Sequence, residues 1–396
     1  HDVPFALERG PADAGAAAPV VYRASLDRVQ LAISYAFVPD SYQVQVRTAL
    51  TGAPAGSYLL LDLASGLNNA ERPESKDVDN LAFAYKPKAD GASSVKFSSL
   101  DPGERDLAAG PLDWAVLKNK YFVFGLLAPA DAPGFAELQV TGGPRTESAA
   151  TSASGTVVAP VGADGTVNFT IYAGPQEWRR LVAIGRDFQD VNPYGGFMQG
   201  MVQPFAAIVM RALLWLKSAT GLSYGWVLVI FGIGVRLAMW PLNQSSMRAT
   251  IRMQRVQPEI QAAQKLYAKD PQKQQQEIMR IYKEHGMSPF SSLAGCLPML
   301  LPMPILFALF WVFQGTIEFR GVPFLWLNDI SIHDPYYIMP VLMGLTTFVV
   351  SWIGMRGVPP NPQTKIMAYV LPLMFTVLFA KMASGLHIYY TVQNIA

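Results

Sequence analysis

From residue 196 onward the chain runs through apolar segments of membrane length that contain no aspartate or glutamate, and this constrains its fold more than any motif does. Segments 223–242, 293–313, 337–355 and 366–382 approach the roughly 20 residues a helix needs to cross a ~30 Å hydrocarbon layer. A fifth begins at Ser384 and reaches only about 20 Å by Ala396 at 1.5 Å per residue. Backbone placed in hydrocarbon must satisfy its own hydrogen bonds, so these segments are expected to be helices.

The first half is different. Residues 1–195 hold 16 Lys/Arg and 22 Asp/Glu, whereas 196–396 hold 15 and 7, and all 16 methionines lie at or after Met198. The overall charge of +2 hides an acidic half and a basic, Met-rich half. Residues 1–18 are Pro/Ala/Gly-rich and read as a disordered linker. Period-two alternation then runs to about Pro175, as in Val29-Gln-Leu-Ala-Ile-Ser-Tyr-Ala-Phe37 and Thr166-Val-Asn-Phe-Thr-Ile-Tyr172. Roughly ten short strands divided by Gly, Pro, Asn and Asp predict an all-β sandwich over 19–176. Residues 143–165 read as a Gly/Ser/Ala/Thr-rich loop or hairpin. The chain opens on His1 without Met and stops inside an apolar helix pattern, so a longer natural protein is expected.

Residues 177–220 are expected to connect the halves. In 197–219 the polar residues Gln199, Gln203, Arg211 and Ser218 fall near one helical face beside Lys217, which predicts a helix lying in the interface plane. From 221 to the end the expectation is a multi-pass helical membrane region. Its loop 244–290 carries eight Lys/Arg, the densest basic block, and is therefore placed in the cytoplasm, with the β-domain on the other side. Asp270-Pro271 divides this loop into two helices. Met253, Val256, Ile260 and Leu266 line the first, and Ile278, Ile281 and Tyr282 the second. An antiparallel hairpin over 244–287 follows, with Arg252, Arg255, Lys265, Lys269, Lys273 and Arg280 outside. It is either a solvated topology determinant or a docking arm for a ribosome or nascent chain.

Arg236 lies inside the first apolar segment, in Val235-Arg236-Leu-Ala-Met-Trp240. A guanidinium at the bilayer centre costs about 2.5–3.5 kcal/mol on insertion scales. Two readings meet that cost. Arg236 is seven residues before Asn243, about 10 Å of rise, so its side chain can snorkel to headgroup level. Alternatively it lines a water-filled cavity open to the cytoplasm, on a face shared with Gly232 and Asn243. A lone cation in such a cavity would attract acidic, hydrophilic segments passing through.

Catalysis finds little support. Gly221-Leu-Ser223-Tyr-Gly225 matches a nucleophile-elbow pattern but precedes a membrane helix instead of joining strand to helix. Four scattered histidines and the single Cys296 make no metal spacing and no disulfide framework. The Asn168-Phe-Thr170 sequon carries no weight. Methionines and aromatics (Met299, Met303, Phe307, Phe310, Trp311, Met343, Met367, Met374, Phe375) suit a surface that greets many apolar clients, and ordinary membrane-helix composition explains them nearly as well.

A series of segments then appears in order: Arg236-Leu-Ala-Met-Trp-Pro-Leu242, Gln257-Pro-Glu-Ile260, Lys283-Glu-His-Gly-Met-Ser-Pro289, Cys296-Leu-Pro-Met-Leu-Leu-Pro-Met-Pro-Ile305, Asp334-Pro-Tyr-Tyr-Ile-Met-Pro340, Lys365-Ile-Met367 and Ser384-Gly-Leu-His-Ile-Tyr-Tyr390. Together they resemble the bacterial YidC/Oxa/Alb family of membrane-protein insertases over about 172–396. The first half resembles the large periplasmic domain of the family's Gram-negative members, with Leu112-Asp-Trp-Ala-Val-Leu117 and Tyr172-Ala-Gly-Pro175 as local matches.

The resemblance implies a core of five helices around a hydrophilic groove, open to cytoplasm and lipid and closed toward the periplasm. Arg236 matches the groove arginine and Tyr390 a groove-lining aromatic; Gly232 stands where relatives can carry a hydroxyl, and Asn243 completes the groove set. A client slide is implied on the helices holding Met303, Pro304 and Phe307 and, within 366–382, Met374 and Phe375. An additional span ahead of His1 is implied too. His387 and Lys381 depart from the usual apolar residues and are read as snorkelling at their helix ends. The expected function is insertion and chaperoning of membrane proteins in the bacterial inner membrane, without enzymatic chemistry or cofactor. Implied partners are nascent membrane proteins, the ribosome, the Sec translocon with its accessory subunits, and the lipid bilayer, with no nucleic-acid substrate. An anion channel or transporter, or a membrane anchor for the β-domain, are the competing readings.

Overall fold

The computed structural model describes residues 4–9, 19–63, 65–67, 80–146, 149–150, 152–192, 194, 198–286, 303–354 and 366–396; side chains of several helical residues, mostly between 242 and 257, lie outside the description. The chain divides into two compact units: His1–Pro193 with Gly315–Ile317, and Tyr194–Gln314 with Glu318–Ala396.

Alternation in the first unit produces strands β1 (Ala6–Arg9), β2 (Val20–Leu26), β3 (Val29–Phe37), β4 (Gln43–Thr51), β5 (Tyr58–Leu63), β6 (Ala82–Pro87), β7 (Ser93–Lys96), β8 (Arg105–Lys118), β9 (Phe122–Leu127), β10 (Phe135–Gly142), β11 (Arg145–Thr146), β12 (Ala149–Ala150), β13 (Ala153–Pro160) and β14 (Thr166–Pro175). Twelve of them form one antiparallel sheet in the order β1-β2-β3-β4-β14-β9-β8-β10-β13-β5, with β6 and β7 branching from β8. The roughly ten expected strands are exceeded in part because the shortest, β11 and β12, hold two residues each and show no alternation. The segment 143–165, read as loop or hairpin, contains the β11–β12 hairpin and the regular strand β13, which pairs with both β10 and β5.

β8 explains how one sheet makes a sandwich. Residues 105–112 pair with β10, while 112–118 pair with β6 and 114–118 with β9. The main core draws Val46, Leu63, Phe83, Leu117, Leu138, Val157 and Phe169 from strands β4, β5, β6, β8, β10, β13 and β14, which lie far apart in the sheet order. The other face of the β8–β9–β14 region is covered by helix α1 (Trp178–Ile184) and the 3-10 turn Phe188–Val191. Ala115 and Leu117 face the sandwich and Trp114 and Val116 face the helix, which is why Leu112-Asp-Trp-Ala-Val-Leu117 contains a nearly continuous apolar run. Trp114 is fully buried, donates from Nε1 to the Arg186 carbonyl (3.0 Å) and meets Phe188 edge to face at 5.4 Å.

One buried cation makes this unit sensitive to pH. Lys118 donates from Nζ to Asn192 Oδ1 at 2.9 Å; burial, with a smaller push from Lys96, brings its pKa down to about 8. Below pH 8 the ammonium is charged in folded and unfolded chains alike, and its desolvation weighs on the fold. Between about 8 and the ordinary lysine value of 10.5 the folded chain releases its proton first, so stability rises with pH across that window. Urea denaturation of fragment 1–193 is expected to show a gain of about 1–3 kcal/mol from pH 7.5 to 10, absent in Lys118→Met.

The second unit is helical. Helix α2 (Gln199–Thr220) ends at Gly221, whose left-handed φ of +68° lets its N–H reach the Lys217 carbonyl. Its Val202, Ala206, Val209, Met210 and Leu213 are buried, while Ile208 and Trp215 are exposed. α2 is also long and apolar enough to cross a membrane by length and composition.

Helix α3 (Tyr224–Leu266) is one element of 43 residues, passing through Pro241 and Pro258. Its first 18 residues, Tyr224–Pro241, have the composition of a span. The expected boundary at 243/244 is therefore no break, and the first arm of the hairpin is the continuation of the membrane-length helix. Helix α4 (Pro271–Glu284) forms the second arm; Pro271 sits at its first turn and the Asp270 carboxylate accepts from the Lys273 N–H (3.2 Å). Val256, Ile260 and Ala263 pack on Ile278, Ile281 and Tyr282, as expected, but Leu266 is 75% exposed and Met253's side chain lies outside the described residues.

The other helices are α5 (Met303–Gly315), α6 (Ile338–Gly354), α7 (Leu371–Phe379, preceded by a π turn Ile366–Val370) and α8 (Ser384–Ile395). They fall within four of the expected apolar segments; residues 293–302 and 355 lie outside the description. Helix α8 packs against both α3 and α6, and α7 packs against α6.

Candidate functional site

The face of α3 that carries Gly232 and Arg236 lies against α8. Gly232 is buried, and a Cβ there would sit 3.1 Å from Val392 Cγ1 and 3.5 Å from the Tyr389 carbonyl. The residue before it, Phe231, has its ring 5.8 Å from that of Tyr389, and Tyr389 is 1% exposed. Gly232 is thus a place of close helix approach. The sequence reading of it as part of a polar lining gains a different physical reason: without a side chain, α8 can approach. Gly232→Leu should cost about 1–3 kcal/mol by overpacking. Gly234, with nothing within 4 Å of its would-be Cβ, should accept leucine with little change. Thermal denaturation midpoints in detergent compare the two.

One turn beyond that contact Arg236 is half-buried, and among the described residues no hydrogen bond, ion pair or aromatic ring engages its guanidinium. Leu237, Ile233 and Trp240 around it are exposed. Asn243 follows two turns later on α3, its side chain outside the described residues.

Tyr390 is half-buried beside Tyr389, ring centroids 5.4 Å apart at 83°. It points about 100° round α8 from Tyr389, so no contact joins it to Arg236 among the described residues. One turn past Tyr390, α8 makes a polar contact with α6. Asn394 Nδ2 donates to Thr347 Oγ1 (2.8 Å) and Thr346 Oγ1 (3.2 Å) on α6. Sequence reasoning missed this triad, although adjacent threonines inside an apolar segment were a usable signal.

His387 corrects the sequence reading. It is fully buried, not snorkelling, with Nε2 3.1 Å from the Phe379 carbonyl at the end of α7 and Nδ1 without a hydrogen-bond partner among the described residues. Lys381, by contrast, is exposed.

Of the slide residues, Met303 and Pro304 open α5 with side chains outside the description, and Phe307 is half-buried on the same helix. On α7, Met374 is 49% exposed beside exposed Leu373, Val377 and Leu378, and Phe375 stacks on Phe379 at 5.5 Å. α5 and α7 therefore present the expected residue types, and among the described residues no aromatic contact or hydrogen bond joins the two sets. On the hairpin Arg255, Lys265, Lys269, Lys273 and Arg280 are all exposed, while the side chain of Arg252 is outside the description. Arg280 is held by Glu284 (2.8 Å) and Glu277 (3.6 Å), which raise its pKa, and Lys273 lies 3.6 Å from Asp270. Part of the basic surface is internally neutralised. Among the described residues no group of three or more His, Cys, Asp or Glu is placed to hold a metal.

Two family models divide the chain much as the fold does. The YidC periplasmic domain matches residues 1–208, and the 60Kd inner membrane protein matches 215–396. The chain belongs to the YidC family. It is 31% identical over 385 residues to the membrane protein insertase YidC of Chlorobaculum tepidum, covering 92% of this chain and 63% of that protein. The corresponding protein of Chlorobium phaeovibrioides is 33% identical over 399 residues, with 95% and 67% covered. That of Anaeromyxobacter dehalogenans is 33% identical over 313 residues, with 77% and 54% covered. The chain thus spans between about half and two thirds of the length of these relatives. The solved structure of an active YidC insertase with its first transmembrane domain resolved aligns with 100% of this chain and 78% of its own, at 18% identity and a TM-score of 0.41, too low to carry an argument about the fold. Within the family, the β-rich unit corresponds to the periplasmic domain and the helical unit to the inner-membrane part.

Proposed function

We propose that the protein inserts and chaperones membrane proteins in the bacterial inner membrane, as its relatives' name says of them. The β-domain lies in the periplasm and the basic hairpin in the cytoplasm. Nothing in this role calls for enzymatic chemistry or a cofactor.

The observation that carries the reading is the half-buried Arg236 guanidinium, which has no partner among the described residues. A cation left unpaired next to hydrocarbon is costly, and a client's acidic, hydrophilic tail supplies the missing counter-charge. The hairpin meets the emerging nascent chain, with the ribosome beside it, and the tail enters along the Arg236–Asn243 part of the α3 face, beyond the Gly232 contact with α8, with Tyr390 nearby. The client's apolar helix then moves along the Met303, Pro304, Phe307 and Met374, Phe375 surfaces into lipid. Burial of about 20 apolar residues drives the transfer without nucleotide. The Sec translocon and its accessory subunits are partners for larger clients.

The test is reconstitution of the chain alone into liposomes, with a small single-span client bearing an acidic tail and no ATP or GTP. Insertion well above that of empty liposomes is expected, slower with a basic tail. Anion flux without insertion would move the assignment to a channel.

A further inference from the structure

Helix α8 carries polar residues along one side. Ser384, His387, Thr391 and Asn394 follow one another at helical spacings, which at about 100° per residue places them within roughly 80° of one another around the axis. Ser384 Oγ donates to the Ile332 carbonyl (2.7 Å), and His387 Nε2 lies 3.1 Å from the Phe379 carbonyl. Asn394 Nδ2 donates to Thr347 Oγ1 (2.8 Å) and Thr346 Oγ1 (3.2 Å) of α6. The side of α8 that meets α3 is different. There Tyr389 and Val392 face Phe231 and Gly232, about 140–160° round the helix from Asn394. Two nearly opposite sides of α8 are thus gripped, one by packing on α3 and the other by hydrogen bonds to α6.

The grip on α6 has a fixed hydrogen-bond direction. Thr347 Oγ1 donates its single proton to the Met343 carbonyl (2.7 Å). Thr346 Oγ1 is committed in the same way, to the carbonyls of Met343 (2.9 Å) and Leu342 (3.0 Å). Both hydroxyls therefore meet α8 with lone pairs only, and the residue facing them must donate. Asn394 suits the place because its amide carries two N–H groups. An ionised aspartate there would set acceptor against acceptor. The helix that supplies the hydroxyls is itself held. Two residues before Thr346, Gly344 lies so close to Thr376 of α7 that a Cβ would collide with the threonine hydroxyl. α6 thereby gives α8 a reference to be held against.

We infer that Asn394 is a positioning residue: by binding the paired threonine hydroxyls opposite the α3 contact, it fixes the rotation of α8 about its own axis and with it the direction of Tyr390. Tyr390 lies one turn before Asn394 and about 40° from it round the helix, so a rotation that breaks the amide bonds swings the phenol as well. Apolar packing indexes such a rotation poorly, because contact area changes gradually as side chains slide. A hydrogen bond weakens steeply once its angle is lost, so a two-pronged one marks a single setting. The inference rests on the insertase reading for the use made of Tyr390, which there stands near the entering tail. Interhelical hydrogen bonds in membrane bundles average about two- to threefold each in an equilibrium, so losing both should cost the positioned state about fivefold.

A fluorine reporter on the phenol reads that direction without using insertion. Fluorotyrosine replaces Tyr390 in the full chain, and its fluorine NMR spectrum is recorded in lipid nanodiscs. Thermal midpoints and the insertion rate of a small acidic-tailed client are measured beside it. The parent chain is expected to give one narrow line. The near-isosteric pair Thr346→Val with Thr347→Val, and separately Asn394→Asp, should broaden or split that line and slow insertion about fivefold. The threonine pair should do so with its thermal midpoint unchanged. Exchanging the partners, Thr347→Asn with Asn394→Thr, reverses the bond while keeping it and should recover line and rate. Should Asn394→Asp fail to accumulate, the threonine pair carries the test. A line that stays narrow in these variants overturns the inference. So does a line that changes only in step with a fallen thermal midpoint, the mark of a merely structural role, or one that changes while insertion keeps the parent rate. Slower insertion with the line unchanged sinks the positioning role and leaves the insertase reading standing. A line that changes as expected in a protein whose parent chain inserts no client does the reverse.

Discussion

Arg236→Ala is expected to slow insertion of an acidic-tailed client at least tenfold, with Arg236→Lys retaining most of the rate. At an effective dielectric of about 20, opposite unit charges 4 Å apart attract by roughly 4 kcal/mol, and 1.4 kcal/mol is already tenfold. Solvent access at the half-buried site discounts the first figure, which is why tenfold and not a thousandfold is expected. Alanine removes the charge while leaving α3 helical, so thermal stability should hold or rise as an uncompensated cation disappears. Lysine keeps the charge as a point and loses the planar fork, so a client tail bound in bidentate fashion should distinguish the two. The measurement is protease protection of the client in liposomes across a salt series. Equal, full insertion by both variants removes electrostatics from the mechanism.

Trp114→Ala is expected to destabilise the β-rich unit by about 3–5 kcal/mol, a large part of the 5–15 kcal/mol that typically holds a domain together. The indole is fully buried between β8 and the covering turn, touches Phe188 and donates to Arg186. Its loss opens a cavity that β8, hydrogen-bonded on both sides, cannot collapse to fill, and leaves the Arg186 carbonyl without its indole donor. Trp114→Phe should recover roughly half by refilling part of the volume. Urea midpoints of fragment 1–193 report both. A change under 1 kcal/mol for alanine would mean that the second core contributes little to the fold.

The β-half was legible because alternating runs mark strands: β3 and β14 coincide with two of the runs read in the sequence. The Asp270-Pro271 break was legible for a local reason as well, since a capping carboxylate followed by proline starts a helix wherever it occurs. What escaped reading was set by tertiary contact. Leu112–Leu117 gives no clue that a helix covers its second face, because α1 and the 3-10 turn meet it from more than 60 residues away. The continuity of α3 through Pro241 and Pro258 defeats a rule in which proline ends helices. His387 was misplaced by assuming that a histidine near a helix end turns outward, when a carbonyl eight residues earlier was available to it. Asp334 stood in plain view within Asp334-Pro-Tyr-Tyr, yet its partners Trp326 and Met339 straddle a turn that no periodicity marks.

The uninterrupted α3 has a mechanical corollary. From Arg236 to Leu266 runs 30 residues of a single rod, about 45 Å. Tilting such a rod by 5° swings its far tip by about 4 Å, so a load on the hairpin arm becomes a small rotation of the guanidinium at the other end. The two prolines mark where that lever would flex first.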